Sequence, residues 1–309
     1  MQIIGPDELV FGVDNVEACR EFLLSFGLTE TETGLFEALD KTGLRICAED
    51  DPSLPAPLPT STKLRQTVWG VADQVTLDQI EAELSKDRDV HKAEDGTLFC
   101  KDDLDFEIAF RVTRRIKLSL PAEMINSPGA KPGRGPNELG SNEDAEAKPR
   151  TLSHIVYFVP DMEKCSKFYT ERLGFVVTDK FTNTGPFLRP QGNDDHHVFF
   201  MIQTPPYMQG IEHLAFHMKG PTELMLAGSR MVKKGFESFW GPGRHKFGSN
   251  WFWYFSSPMG VNCEFDADMD KHDGDWINRE TELSAENSQM FLFENVEKWA
   301  PGGPPQVKK

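Results

Sequence analysis

Apolar runs broken by charged and turn-forming positions divide the chain into two similar halves. Near the N-terminus, DELVFGVDNVEACREFLLSFGL reads as a half-buried strand, a turn and an amphipathic helix. From Thr151, TLSHIVYFVPDMEKCSKFYTERLGF repeats that order. With Cys19 set against Cys165 and one gap, Glu17 meets Glu163, Phe22 meets Phe168 and Gly27 meets Gly174. Asn15 and Asp161 are natural helix N-caps, because their side-chain oxygens accept the first free amide hydrogens. The two glycines suit the left-handed turn that ends a helix.

The pattern recurs within each half. QTVWGVAD followed by VTLDQIEAEL echoes EHLAFHMKG followed by PTELMLAGSRMVKKG. Further strand-like runs are LRICAE, GTLFCKD and DLDFEIAF in the first half, and HVFFMIQ, WFWYFSS and GVNCEFDA in the second. The expectation is an α+β fold of four βαβββ modules paired into two tandem domains. Each domain is a curled mixed sheet around a central cleft, with helices outside.

Composition places the boundaries. Residues 122–150, AEMINSPGAKPGRGPNELGSNEDAEAKPR, are rich in Pro, Gly, Asn and charge and lack apolar periodicity, which predicts a linker or surface arm. It separates a domain over 1–121 from one over 151–270. A C-terminal tail over 271–309 holds a short amphipathic segment (Met290 to Trp299) and a disordered end, PGGPPQVKK. The net charge of −16 argues against nucleic acid or an anionic membrane as partner, since both would repel the chain. Five widely spaced cysteines without a CxxC pair read as free thiols in a reducing compartment. MQIIGPDELV lacks the basic start and apolar run of a secretory leader, and no stretch approaches the ~20 apolar residues of a membrane span. The expected location is the cytoplasm.

One half stands out chemically. His154 lies on the first strand of the second half, His213 on a later strand in GIEHLAF, and Glu264 on the last strand in GVNCEF. The corresponding positions of the first half read as Glu8, Gln66 and Glu107, so only the second copy offers two imidazoles and a carboxylate. Two His and one carboxylate on one side of a metal leave three positions open, the facial triad of non-haem Fe(II) oxygenases. The expected cofactor is Fe(II), with Mn(II) as the second choice for the same donor set. His197 in DDHHVFF, His245 in GPGRHKFG and Tyr254 in WFWYFSSP are candidates for the cleft wall. A histidine there can take and return a substrate proton, and a second histidine with a phenol can orient substrate oxygens. His217 reads as a supporting or structural residue. His196 is expected to face away from His197 by strand alternation. His91 and His272 read as surface residues.

The run from Gly243 to Glu264, GRHKFGSNWFWYFSSPMGVNCE, resembles the signature of the type I extradiol dioxygenases of the vicinal oxygen chelate superfamily. It carries Gly-x-His, a Tyr nine residues on, Pro-x-Gly and then a Glu. The His196–His197 pair and the stretch around His154 are also similar, and the resemblance spans both halves, with the first domain degenerate and without a metal site. It implies His154, His213 and Glu264 as metal ligands, His197 as acid/base, and His245 and Tyr254 as substrate contacts. It implies a catecholic substrate and O2, aromatic-compound catabolism and a homo-oligomer. Trp253, Ser257 and the long linker depart from the family pattern. Trp253 and the linker are expected to reshape the pocket, and the aromatic density of the second half (Phe187, Phe199, Phe200, Phe239, Trp240, Phe247, Trp251, Phe252) allows a large aromatic substrate, with most of these residues read as ordinary core.

Two other readings stand beside this one. A metalloenzyme of the isomerase or lyase type on the same fold would need a fourth ligand, which the first half does not offer. A non-catalytic small-ligand-binding protein would not need a complete 2-His-1-carboxylate set.

Overall fold

The computed structural model describes residues 1–142 and 144–293. Four βαβββ modules follow one another. The first is β1 (Ile3–Val13), α1 (Val16–Phe26), β2 (Thr29–Glu32), β3 (Leu35–Glu37) and β4 (Gly43–Ala48). The second is β5 (Leu64–Val71), α2 (Gln74–Leu84), β6 (His91–Lys92), β7 (Leu98–Lys101) and β8 (Glu107–Val112). The third is β9 (Thr151–Val159), α3 (Met162–Lys167) with a π-helical turn at Phe168–Arg172, β10 (Val176–Phe181), β11 (Gly185–Arg189) and β12 (Phe199–Gln203). The fourth is β13 (Gly210–His217), α4 (Pro221–Lys233), β14 (Ser238–His245), β15 (Trp251–Ser256) and β16 (Asn262–Ala267). No helix among the described residues is long and apolar enough to cross a membrane.

Local chemistry ends the helices where the sequence says it should. Asn15 accepts from the Ala18 amide and Asp161 from the Lys164 amide, both at 2.9 Å. Gly27 and Gly174 hold positive φ, +106° and +76°, which costs glycine nothing. Two mixed sheets result, ordered β2-β3-β4-β1-β5-β8-β7-β6 and, among the named strands, β10-β11-β12-β9-β13-β16-β15-β14 for the second. In each, two modules meet through an antiparallel pair, β1 with β5 and β9 with β13. Parallel partners flank those pairs.

The two sheets bury one continuous apolar core. Phe26 stacks on Phe265 at 3.8 Å, Phe106 stacks on Tyr157 at 4.2 Å, and Trp69 meets Phe175 and Phe199 edge-on. Such pairs add about 0.5–1.5 kcal/mol each beyond the area they bury.

The segment between the halves carries no helix or strand in its described residues but is docked at both ends. Ala147 is fully buried and its carbonyl accepts from Arg230. Glu123 accepts from the Thr222 amide at 3.1 Å, capping α4, whose own N-cap, Gly220, has no side chain to do so. The stretch after residue 270 differs from a simple tail. β17 (Arg279–Thr281) pairs with β10, and α5 (Ala285–Ser288) leads into β18 (Gln289–Leu292), which pairs with β14. Met290–Leu292 of the expected amphipathic segment therefore lie in a strand. Its remainder from 294, and PGGPPQVKK, lie outside the described residues.

Candidate metal centre

β9, β13 and β16 are adjacent strands, and each contributes one donor. His154 Nε2 lies 3.1 Å from Glu264 Oε2, His213 Nε2 lies 3.4 Å from the same oxygen, and the two Nε2 atoms are 3.3 Å apart. Metal–ligand bonds of about 2.1 Å at right angles would set neighbouring donors about 3 Å apart. All three residues are buried, and Glu264 is 0% exposed. Neither Glu264 oxygen has a hydrogen-bond partner among the described residues. A buried carboxylate left so would be costly, and a divalent cation held by the three donors would remove that cost. Burial opposes the Glu264 charge, but His154, His245 and His213 hold its carboxyl below the usual carboxylate range.

Two β-bulges orient the imidazoles. In the β9–β13 ladder the register slips at Ser153 and again at Glu212. At each slip a residue that alternation would turn away is swung beside its neighbouring histidine. Ser153 Oγ lies 2.9 Å from His154 Nδ1 and donates to Asp266 at 3.0 Å. The Glu212 carboxylate accepts from His213 Nδ1. With Nδ1 carrying the proton in both rings, both Nε2 lone pairs face the metal position. Asp266 also sits 2.7 Å from His217 Nδ1. Burial works against the His217 charge, but Asp266 and Asp195 push its pKa up to about 10. His217 thus supports His154 through Asp266 and Ser153.

The first sheet repeats both bulges, at Asp7 and Arg65. There the equivalent of His154 is Glu8, whose carboxylate is engaged by Arg45, Arg111 and Arg114 at 2.8, 3.2 and 2.8 Å. Gln66 matches His213 in register, but the residue matching Glu264 is Ala109, not Glu107. Val68 pairs with Ala109 just as Ala215 pairs with Glu264. Glu107 stands two positions earlier.

A cavity of about 330 Å³ opens over the triad. His197, His245 and Tyr254 line it, and its remaining walls are largely aromatic, including Phe187, Phe200, Trp240 and Phe247. The His197 ring lies 4.3 Å from that of His154. Burial and the neighbouring imidazoles hold its pKa well below the usual value, so it is neutral. His245 Nδ1 donates to the Ser288 carbonyl at 3.1 Å, and its Nε2 meets the Tyr254 hydroxyl at 3.2 Å. Burial, with Glu264 nearby, keeps the Tyr254 phenol protonated.

Several expectations need correction. His196 and His197 do not diverge, because both precede β12 in a loop where strand alternation does not operate; their Nδ1 atoms are 2.9 Å apart. His272 is buried and stacked on Trp276 at 3.8 Å, whereas His91 is exposed. Trp253 does not shape the pocket. Tyr254 and Glu264 are directly paired on one face of β15 and β16, so Trp253 points to the other face, against Gly228 of α4. Phe199, Trp251 and Phe252 lie outside the cavity, in keeping with the expectation that most of these aromatics are ordinary core; no described residue of the linker lines it, whereas Leu283 and Ser288 of the C-terminal stretch do. The supporting residues Ser153, Glu212, Asp266, Asp179 and Arg279 escaped the sequence reading. The one signal that could have raised two of them is an acidic residue beside or two positions from a candidate ligand.

Comparison with known proteins bears on this arrangement. Residues 151–265 match the family model of the Glyoxalase/Bleomycin resistance protein/Dioxygenase superfamily. Metapyrocatechase 2 of Cupriavidus necator is 31% identical over 150 residues, 48% of this chain and 45% of that one. The match thus spans about half the length of that curated relative. Among solved structures, the Mn(II)-bound glyoxalase from Novosphingobium aromaticivorans superposes with a TM-score of 0.70 at 21% identity, covering 93% of this chain and 90% of that one. BphC, a halotolerant catechol dioxygenase, gives a TM-score of 0.70 at 16% identity, covering 95% of each chain. The structural likenesses establish the shared fold. The family match concerns residues 151–265, the third and fourth modules, which carry the three candidate donors.

Proposed function

We propose that this protein is an extradiol dioxygenase that cleaves a catecholic ring with O2 in aromatic-compound catabolism. The observation that carries the reading is Glu264, a buried carboxylate without hydrogen-bond partners, facing two outward-aimed Nε2 atoms at the floor of an aromatic cavity. His154, His213 and Glu264 would hold the metal. Bound there, Fe(II), or Mn(II) on the same donors, would supply open coordination positions for substrate and O2 and the electron transfer between them.

The chain's own residues do the rest. His197, neutral and at the cavity wall, accepts a hydroxyl proton from the substrate and returns it later. Tyr254, held protonated, donates its O–H to Nε2 of His245, which the Ser288 carbonyl anchors, and the phenol oxygen fixed in this way accepts from a substrate hydroxyl and orients it. The aromatic walls exclude water and stack against the ring.

No Lys or Arg is among the described residues lining the cavity. The substrate class is therefore a catechol with an apolar substituent or second ring rather than one bearing a carboxylate, whose charge would be buried without a partner. A metalloisomerase drawing a ligand from each half is not supported, since Glu8 is taken up by three arginines. Five free cysteines fit a reducing, cytoplasmic setting. Assembly as a homo-oligomer belongs to the same reading.

The test is a panel of catechols with alkyl, aryl or carboxylate substituents, bound anaerobically and then given O2. The expected result is about one metal per chain, O2 uptake and a yellow ring-opened product, with apolar substituents preferred. Metal-free protein that binds the panel equally well and consumes no O2 would overturn the reading.

A further inference from the structure

A buried chain of polar groups leads from His197 away from the cavity. His197 Nδ1 lies 2.9 Å from His196 Nδ1, and His196 Nε2 lies 2.9 Å from Asp179 Oδ2. Asp179 and His196 are fully buried and His197 nearly so. Asp179 is itself held by Arg279 of β17, through the backbone amide at 2.7 Å and the guanidinium at 2.5 Å. The Arg279 guanidinium also lies over the ring of Phe247, a wall of the cavity, at 4.8 Å.

The direction of these hydrogen bonds can be worked out from the far end. An ionised carboxylate only accepts, so His196 Nε2 must carry a hydrogen. Arg279 already balances the Asp179 charge, and burial favours a neutral His196. A neutral ring with its hydrogen on Nε2 has a bare Nδ1, which can only accept. The short Nδ1–Nδ1 contact then requires His197 to donate from Nδ1, and its Nε2 is left with a free lone pair.

We propose that Asp179, locked by Arg279, fixes the tautomer of His197 through His196, so that Nε2 is the atom left free to take a proton at the cavity. Asp179, Arg279 and His196 are positioning residues: none lines the cavity, and they act through His197. The reaction role rests on the reading of His197 as proton acceptor, whereas the tautomer itself does not. Because Arg279 lies on β17, the C-terminal stretch beyond the four modules completes the device.

Two measurements test it. The first is a two-bond proton–nitrogen correlation spectrum of the full chain labelled with 15N-histidine and loaded with Zn(II). The expected spectrum shows His196 with its hydrogen on Nε2 and His197 with its hydrogen on Nδ1, and Asp179→Asn makes the His197 signal a mixture. His197 protonated on Nε2 in the unaltered protein overturns the proposal, whatever the protein's activity. The second is steady-state turnover of a cleaved catechol. Asp179→Asn is expected to lower kcat about 10- to 100-fold, the usual cost of losing such an outer partner, with KM little changed. The same substitution in a His197→Gln background is expected to cost nothing more. An equal loss in both backgrounds overturns action through His197. If Asp179→Asn does not fold, His196→Phe, which keeps the ring's bulk and removes both nitrogens, is read in the same way. Absence of any catechol cleavage by the unaltered protein counts against the dioxygenase reading and leaves the spectrum to decide the tautomer.

Discussion

Glu212 and His213 are neighbours in the chain, yet both side chains reach the cavity, because β13 bulges at Glu212 against β9. The bulge turns what would be an outward carboxylate into the acceptor for His213 Nδ1. Ser153 does the same for His154 one strand away. The geometry of the candidate metal centre thus rests on two one-residue irregularities as much as on its three donors.

Removing a ligand and removing its support are expected to differ in degree. His154→Ala or Glu264→Ala should abolish metal binding, since two donors remain. Glu212→Gln should keep the site but weaken it about 10- to 100-fold, because the amide no longer fixes the His213 tautomer with a charged acceptor. Chelator competition followed by metal analysis separates the cases, and retention of wild-type affinity by Glu212→Gln would show that the bulge serves another purpose.

His197→Gln is expected to retain metal and substrate binding while slowing turnover by about 10²- to 10⁴-fold, the range for loss of a positioned acid/base. Anaerobic substrate titration and single-turnover kinetics read the two effects separately. Wild-type turnover in this variant would remove His197 from the mechanism.

Asp102 gives stability a pH dependence. It accepts from the Leu104 and Phe106 amides and lies 3.3 Å from the Tyr169 hydroxyl of the other half. Burial pushes its pKa up from 3.8 to about 7. The folded chain therefore keeps a proton that the unfolded chain releases above about pH 4. Its contribution is full below that pH and is lost as pH rises through about 7, a change on the order of a few kcal/mol. Asp102→Asn mimics the protonated form and should flatten this part of the profile. Urea unfolding at pH 5 and pH 8 checks it, and an unchanged difference between the two would point to other groups.

Gly228 marks where α4 touches the back of the second sheet. A Cβ built there lies 2.0 Å from Trp253 Cε3. Gly228→Ala should destabilise the fold by about 1–3 kcal/mol despite the better helix propensity of alanine. Denaturant midpoints measure the loss. A stabilised variant would mean that the helix moves away from the sheet at little cost.

The sequence by itself determined the four-module plan. Apolar periodicity, the Asn15 and Asp161 caps and the glycines after α1 and the π-helical turn are local signals, and local signals do not depend on tertiary contacts. It also pointed to His154, His213 and Glu264, because an internal repeat compares equivalent strand positions within one chain. Tertiary structure decided what depends on register and on distant segments. The bulges at Ser153 and Glu212 are slips between two strands and leave no trace in either strand's pattern. Trp253, next to Tyr254, faces the helix rather than the cavity for the same alternation that puts Tyr254 beside Glu264. His196 and Asp179 meet across 17 residues, and Arg279 reaches Asp179 from 100 residues away. Such contacts are made by packing of elements whose separation in sequence carries no information about their meeting in space.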